Sequence, residues 1–257
     1  MPNRKLYDIV PVAFKIPVED SGKSGRNCFR MPEKNQTKYR HELKYQVTDA
    51  EIRMLKNRID HLLPLDSHVA QTGSYRIRSL YFDDYYDRCM KENENGTDPR
   101  EKFRIRYYNT DTSFIRLEKK SKINGLCNKQ SAKMTAEETQ RILDGDYHFL
   151  LESDSNLKRE FYAKMQFQLL RPVCIVAYKR ESFVYPPGNV RVTIDENIRT
   201  GLRGTDFLNP DCITIPAAQN TIILEVKWDE FLPGIIRRAV QVKGGRSTAF
   251  SKYGVCR

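Results

Sequence analysis

From about position 39 onward the chain is built of short runs in which apolar and polar residues alternate. The segments YRHELKY (39–45), YRIRSLYF (75–82), KFRIRYY (102–108), FIRLEKK (114–120), VCIVAYKRESFVY (173–185), NVRVTID (189–195) and TIILEVKW (221–228) combine a two-residue period with aromatic and β-branched residues, which predicts strands. Helical signatures lie between them. Thr48 and Glu51 form a capping box ahead of Ile52, Leu55, Ile59 and Leu62, spaced to share one helix face. Thr135 and Glu138 repeat it ahead of Ile142 and Leu143, with Gly145 as the stop. A third helix is predicted from Asn156 to Leu170, before Pro172. A fourth is expected from near Asp229 and a short last one over 248–253. Strands outnumber helices and several connections are short, so an α+β fold with a mostly antiparallel sheet is expected. Residues 1–38 lack sustained periodicity and read as an extension, irregular apart from a short strand near 9–14, ahead of one domain over 39–257.

Side chains alternate across a strand, so residues two apart share a face. One face carries Arg40, Glu42 and Lys44 in the first run, Lys102, Arg104 and Arg106 in the third, and Arg116, Glu118 and Lys120 in the fourth. Arg191, Thr193 and Asp195 share a face near the end, as do Glu225 and Lys227. The opposite faces are apolar. A half-solvated sheet also alternates, but solvated faces mix in Ser, Thr, Asn and Gln, whereas these are almost entirely Arg, Lys and Glu. A closed barrel with a charged interior accounts for that composition: inward cations hold a polyanion and inward carboxylates hold a metal. Arg180 shares parity with Val176 and Tyr178, which leaves its facing open.

The 257 residues carry a net charge of +11, which calls for an anionic partner. The carboxylates at 42, 118, 195 and 225, set among the basic residues, argue against a nucleic-acid surface. No apolar run approaches the roughly 20 residues of a bilayer-crossing helix, and the N-terminus lacks a secretory signal. Six scattered cysteines without a CxxC pair suit a reducing compartment. A cytoplasmic protein without a membrane span is expected. SGKS at 21–24 lacks the upstream glycine of a phosphate-binding loop, Pro17 standing in its place. The histidines at 41, 61, 68 and 148 have no metal-ligand spacing.

The motifs RHELKY, SLYFDD, KFRIRYY, LEKKSK, YKRESF, NVRVTID, ILEVKW and FSKY occur in that order. Together they resemble the VTC domain, the polyphosphate polymerase branch of the triphosphate tunnel (CYTH-like) metalloenzymes, over about residues 38–257. The resemblance implies a closed eight-stranded antiparallel barrel with helices outside, binding ATP, triphosphate or polyphosphate in its interior. It also implies a divalent metal, manganese or magnesium, and transfer of the ATP γ-phosphate to a growing polyphosphate chain. Phosphate ligands then fall on Lys44, Arg104, Arg106, Lys120 and Arg180, with Lys129 or Lys133 from a following loop. The metal ligand falls on Glu225, and a catalytic lysine at the tunnel mouth on Lys252. The superfamily's first-strand pattern ExExK departs here to Arg40, Glu42 and Lys44, which removes one carboxylate and speaks against a two-metal site. The reading expects no membrane anchor and no second regulatory domain. A triphosphatase of the same fold, or a non-catalytic polyphosphate- or nucleotide-binding module, is the alternative, and the oligomeric state stays open.

Overall fold

The computed structural model describes residues 39–67, 69, 72–242 and 247–257. Residues 1–38, with the strand expected near 9–14 and SGKS, lie outside the described residues, as does His68. The strands are β1 (Tyr39–Val47), β2 (Tyr75–Asp83), β3 (Arg100–Tyr108), β4 (Asp111–Ile123), β5 (Leu126–Met134), β6 (Arg171–Tyr185), β7 (Val190–Thr200), β8 (Ile215–Pro216) and β9 (Ile222–Trp228). The helices are α1 (Asp49–Asp60), α2 (Arg88–Glu94), α3 (Ala136–Leu143), α4 (Asn156–Gln168), α5 (Gly234–Ala239) and α6 (Lys252–Cys256). Pairing runs β6-β2-β3-β4-β5-β1-β9-β7, and β7 returns to β6, so eight strands close into an antiparallel barrel. The two-residue β8 pairs with β7. This is the expected α+β barrel.

The outward faces of the strands bury themselves under helices. Phe103, Ile105, Tyr107, Leu117, Ala132 and Met134 form one cluster with Ile142 of α3 and with Phe161 and Met165 of α4. Val192, Ile194, Leu224 and Val226 form another with Ile52, Leu55 and Ile59 of α1 and Ile236 of α5. Each such side chain contributes about 1.5–3 kcal/mol on leaving water, so both long helices hold the barrel closed from outside. Both capping boxes are present, with the Thr48 and Thr135 side chains accepting from the backbone N–H groups of Glu51 and Glu138.

Several elements depart from the expectation. Residues 126–134 form strand β5, which joins β4 to β1. Its outward positions include Asn128 and Gln130 and its inward ones Lys129, Ser131 and Lys133, so polar residues on both faces erase the two-residue signal. The short α2 buries only Cys89. It is fixed by the buried Asp83, whose carboxylate accepts from the backbone N–H groups of Cys89 (2.9 Å) and Met90 (3.1 Å). Helix α1 stops at Asp60, which leaves Leu62 exposed and turns Leu63 inward instead. Helix α5 starts only after Pro233, its N-cap residue, while Asp229 accepts from Arg40 Nε at 2.8 Å. The last helix begins at Lys252, with Ser251 as its N-cap.

Candidate functional site: a cation-lined chamber inside the barrel

The inward faces converge on a cavity of about 320 Å³ lined by Lys44, Lys102, Arg104, Arg106, Lys120, Lys129, Arg180, Glu225, Lys227 and Lys252, among others. The barrel register sets this out row by row. Lys44 lies opposite Glu225, Arg104 opposite Glu118, Lys120 opposite Lys129 and Arg180 opposite Asp195. Every residue expected at the site therefore lines one chamber. The open facing of Arg180 resolves inward, with Tyr178 of the same parity beside it. Lys129 reaches the chamber from β5 rather than from a loop, while Lys133, two inward rows further along, is opposite Arg116.

Four carboxylates hold the cations in place. Glu118, 2 % exposed, accepts from Arg104 Nη2 at 2.7 Å and Lys129 Nζ at 3.1 Å, with Arg106 Nη1 at 3.7 Å. Asp195, fully buried, takes Arg180 Nε at 2.5 Å and Lys252 Nζ at 2.6 Å. Glu42 takes Lys120 at 2.8 Å and Lys44 at 3.0 Å. Glu225 takes Lys227 at 2.5 Å. Burial alone would raise the Glu225 carboxyl; Lys227, Lys44, Lys120 and Lys252 outweigh it and hold the group well below the ordinary carboxylate range. Lys252 stands at the N-terminus of α6, where the helix dipole is unfavourable to a cation. Its fixing comes from Asp195 and from the Tyr178 ring, 4.9 Å away. It lies in the chamber wall, 10 % exposed, rather than at a rim.

Three groups at the site go beyond the sequence expectation. Among the described residues Lys102 has no carboxylate partner; its ammonium lies 5.9 Å from the centre of the Tyr81 ring, and burial and neighbouring lysines push its pKa down to about 8. Burial would raise the Tyr81 phenol, but Arg104, Lys102 and Arg106 bring it down to about 7, with Arg104 Nη1 donating to its oxygen at 2.8 Å. The buried Thr193, opposite Glu225, is the third. Parity pointed Lys102 and Thr193 inward; applying it to 75–82 also finds Tyr81.

The interior is not a clear pipe. At the end where β2 finishes and β6 begins, inward-facing Cys174, Val176 and Ile223 pack with Ile198 and with Tyr253 and Cys256 of α6. Tyr253 stacks on Tyr81 with centroids 5.0 Å apart and donates to Asp83 Oδ2 at 2.6 Å. Beside this plug lies a second cavity of about 100 Å³, lined by Arg100, Lys122, Asn93 and Thr248. It shares Glu42, Lys44, Lys102, Lys120 and Cys127 with the chamber.

For a divalent ion the donor set is narrow. No group of three or more His, Cys, Asp or Glu side chains among the described residues could hold a metal by itself. Glu42 and Glu225 are hard oxygen donors sharing a lysine, and the Thr193 hydroxyl beside Glu225 is buried with no hydrogen-bond partner among the described residues. That set fits a magnesium- or manganese-type ion, which takes one or two carboxylates and completes its shell with water and substrate phosphate oxygens.

A closed antiparallel eight-stranded barrel with inward cations and interleaved carboxylates is a triphosphate tunnel fold. The chain belongs to the VTC domain family, whose model matches residues 39–257, and it is thereby a polyphosphate-related triphosphate tunnel protein. Among solved structures it is similar to a candidate adenylate cyclase from Bacillus halodurans (14% identity, TM-score 0.45, covering 74% of this chain and 80% of that one). It is also similar to the PH1012 protein of Pyrococcus horikoshii (10% identity, TM-score 0.48, covering 85% and 99%). Likenesses at these scores add nothing to the fold already described. No curated protein matches the chain. Among the described residues no helix is long and apolar enough to cross a membrane.

Proposed function

We propose that the protein is a metal-dependent polyphosphate polymerase that transfers the γ-phosphoryl group of ATP to the end of a polyphosphate chain. The observation that carries the reading is the chamber itself: cations from seven of the eight barrel strands and from α6, held by four interior carboxylates, around a cavity of about 320 Å³. Phosphoryl transfer demands positioning and neutralisation of the non-bridging oxygens more than covalent help from the protein.

In this reading Arg104, Arg106 and Arg180 bind phosphate oxygens through guanidinium forks, and Lys44, Lys120 and Lys129 act as point charges. Glu225, with Glu42, would hold the divalent ion, which supplies charge neutralisation on the β- and γ-phosphates. Lys252 holds the terminal phosphate of the acceptor against the γ-phosphorus. The acceptor oxygen forms the new P–O bond, the bond from the γ-phosphorus to the bridging oxygen breaks, and ADP departs with that electron pair. Holding the acceptor in place favours phosphate over the far more abundant water. The second cavity, with Lys102, Arg100 and Lys122 on its walls, offers the lengthening chain a lateral way past the plug.

The plug is the observation that favours the runner-up, a triphosphatase passing the γ-phosphate to water, because a barrel stopped at one end needs no exit for a chain. Incubation with ATP and manganese, with products sized on a gel that resolves polyphosphate, separates the two. Long chains, formed with a shorter lag when tripolyphosphate is added as primer, support the polymerase; orthophosphate alone, with no primer effect, supports the triphosphatase. Glu225→Gln keeps the side-chain size and removes the charge. It is expected to lose most turnover in that assay while tripolyphosphate binding persists; equal activity at saturating and limiting manganese would remove Glu225 from the metal site.

A further inference from the structure

Lys227 is placed unlike the other chamber cations. Its ammonium lies 2.5 Å from Glu225 Oε1 and 3.4 Å from Glu42 Oε2, so one positive charge sits between the two carboxylates available to a divalent ion. Next to it the network is incomplete. Thr193, in register with Glu225, is 4% exposed, and its hydroxyl has no hydrogen-bond partner among the described residues. Ser182, in register with Thr193 on β6, is fully buried and equally unpartnered. A buried hydroxyl without a partner is costly and rare in native structures. Of the two, Thr193 lines the chamber beside Glu225, and its hydroxyl marks a place where a bound group and its water complete the hydrogen bonding.

We propose that Lys227 is a resident stand-in for the divalent ion, neutralising Glu42 and Glu225 while the chamber is empty and yielding that position only when the ion arrives together with phosphate. The proposal rests on the reading of the chamber as a metal–triphosphate site. The buried Glu225 needs a counter-charge in every state of the protein, since an uncompensated buried charge is expensive, and Lys227 supplies it while sharing the part-buried Glu42 with Lys120 and Lys44. A lysine is suited to the task because its charge is compact and its stem flexible, and Lys227 keeps 29% of its side chain exposed, which leaves it room to move. An ion alone would evict the ammonium and give it nothing in exchange. An ion carried in with a triphosphate gives it phosphate oxygens, so both the carboxylates and the lysine stay paired. Metal and triphosphate binding are therefore coupled through this one side chain.

The test measures manganese retained by the full-length protein in equilibrium dialysis, without nucleotide turnover. Wild type is expected to bind manganese about tenfold or more tightly with tripolyphosphate than without it, within the 5–150-fold span of ordinary coupling between sites. Lys227→Met is expected to bind manganese alone about tenfold more tightly than wild type does, with the tripolyphosphate enhancement reduced to match. Arg191→Met is the control for the loss of one positive charge: Arg191 is in register with Lys227 but pairs with Asp66 at 3.2 Å, and its loss should leave manganese affinity nearly unchanged. No gain in Lys227→Met, or an equal gain in Arg191→Met, overturns the stand-in role and leaves the metal–triphosphate site intact. Failure of the wild type to retain manganese even with tripolyphosphate overturns the metal site, and the stand-in with it. Should Lys227→Met not fold, Lys227→Gln replaces it. The wild type also decides alone, since equal manganese affinity with and without tripolyphosphate overturns the proposal.

Discussion

The two ends of the barrel interior come from the same strands and are packed on opposite principles. At one end Cys174, Val176 and Ile223 meet Tyr253 and Cys256 in an apolar cluster. At the other, two residues further along β9 and four along β6, Glu225 and Arg180 face a chamber of ions. The plug gains stability from burying apolar surface. The chamber gains little, because the desolvation of its charges offsets most of their attraction. What the chamber holds instead is a set of cations fixed in position before any anion arrives. Stability and binding are thus assigned to different ends of one lumen, and substitutions should separate them.

The largest effects should come from breaking each end in turn. Tyr253→Ala removes a stacked, hydrogen-bonded ring from the plug and should cost about 3–5 kcal/mol, the usual range for emptying an aromatic core position. Glu118→Gln should cost a comparable amount, about 3–5 kcal/mol, by leaving Arg104, Arg106 and Lys129 facing one another without their counter-charge. Urea unfolding with and without tripolyphosphate tells the two apart. The ligand should stabilise Glu118→Gln more than wild type, because it supplies the missing negative charge, and Tyr253→Ala no more than wild type. Equal gains in both variants would dissolve the distinction between plug and chamber.

A smaller effect concerns one proton at the boundary between the two ends. Tyr81 stacks on the plug and points its phenol at Arg104, with a pKa lowered from 10.0 to about 7. A lowered value means that ionisation favours the folded state. That contribution is fully present above the unfolded value near 10 and is lost as pH falls through about 7. Stability relative to Tyr81→Phe should therefore rise with pH across that window. Tripolyphosphate draws the same cations to itself, so phenolate absorbance near neutral pH should fall when it binds. Absorbance unmoved by the ligand would detach Tyr81 from the chamber.

The chamber was the more legible end. Alternation alone placed Lys44, Arg104, Arg106, Lys120 and Glu225 on inward faces, since in a closed sheet parity suffices to say which residues meet. The plug was hidden because its residues break the charged pattern: Val176 and Ile223 share parity with charged or polar residues yet are apolar, and their partner α6 comes from the far end of the chain. Strand β5 was missed for the opposite reason, being polar on both faces. The position of Lys252 within the wall, rather than at the mouth, depends on the direction of a five-residue helix that no periodicity announces. The pairing of Lys227 with two carboxylates also needs three dimensions, because it joins β9 to β1 across 185 positions of sequence.

The central claim is that the interior cations form a triphosphate site. It is tested most directly by calorimetric titration of tripolyphosphate into wild type and into Arg104→Ala/Arg106→Ala, with circular dichroism to establish that the double variant is folded. Each arginine is expected to contribute about 1.5–3 kcal/mol as a charged hydrogen-bond donor. The double variant should therefore bind at least about a hundredfold more weakly, each 1.4 kcal/mol being roughly a factor of ten. Unchanged affinity in a folded double variant would contradict the account.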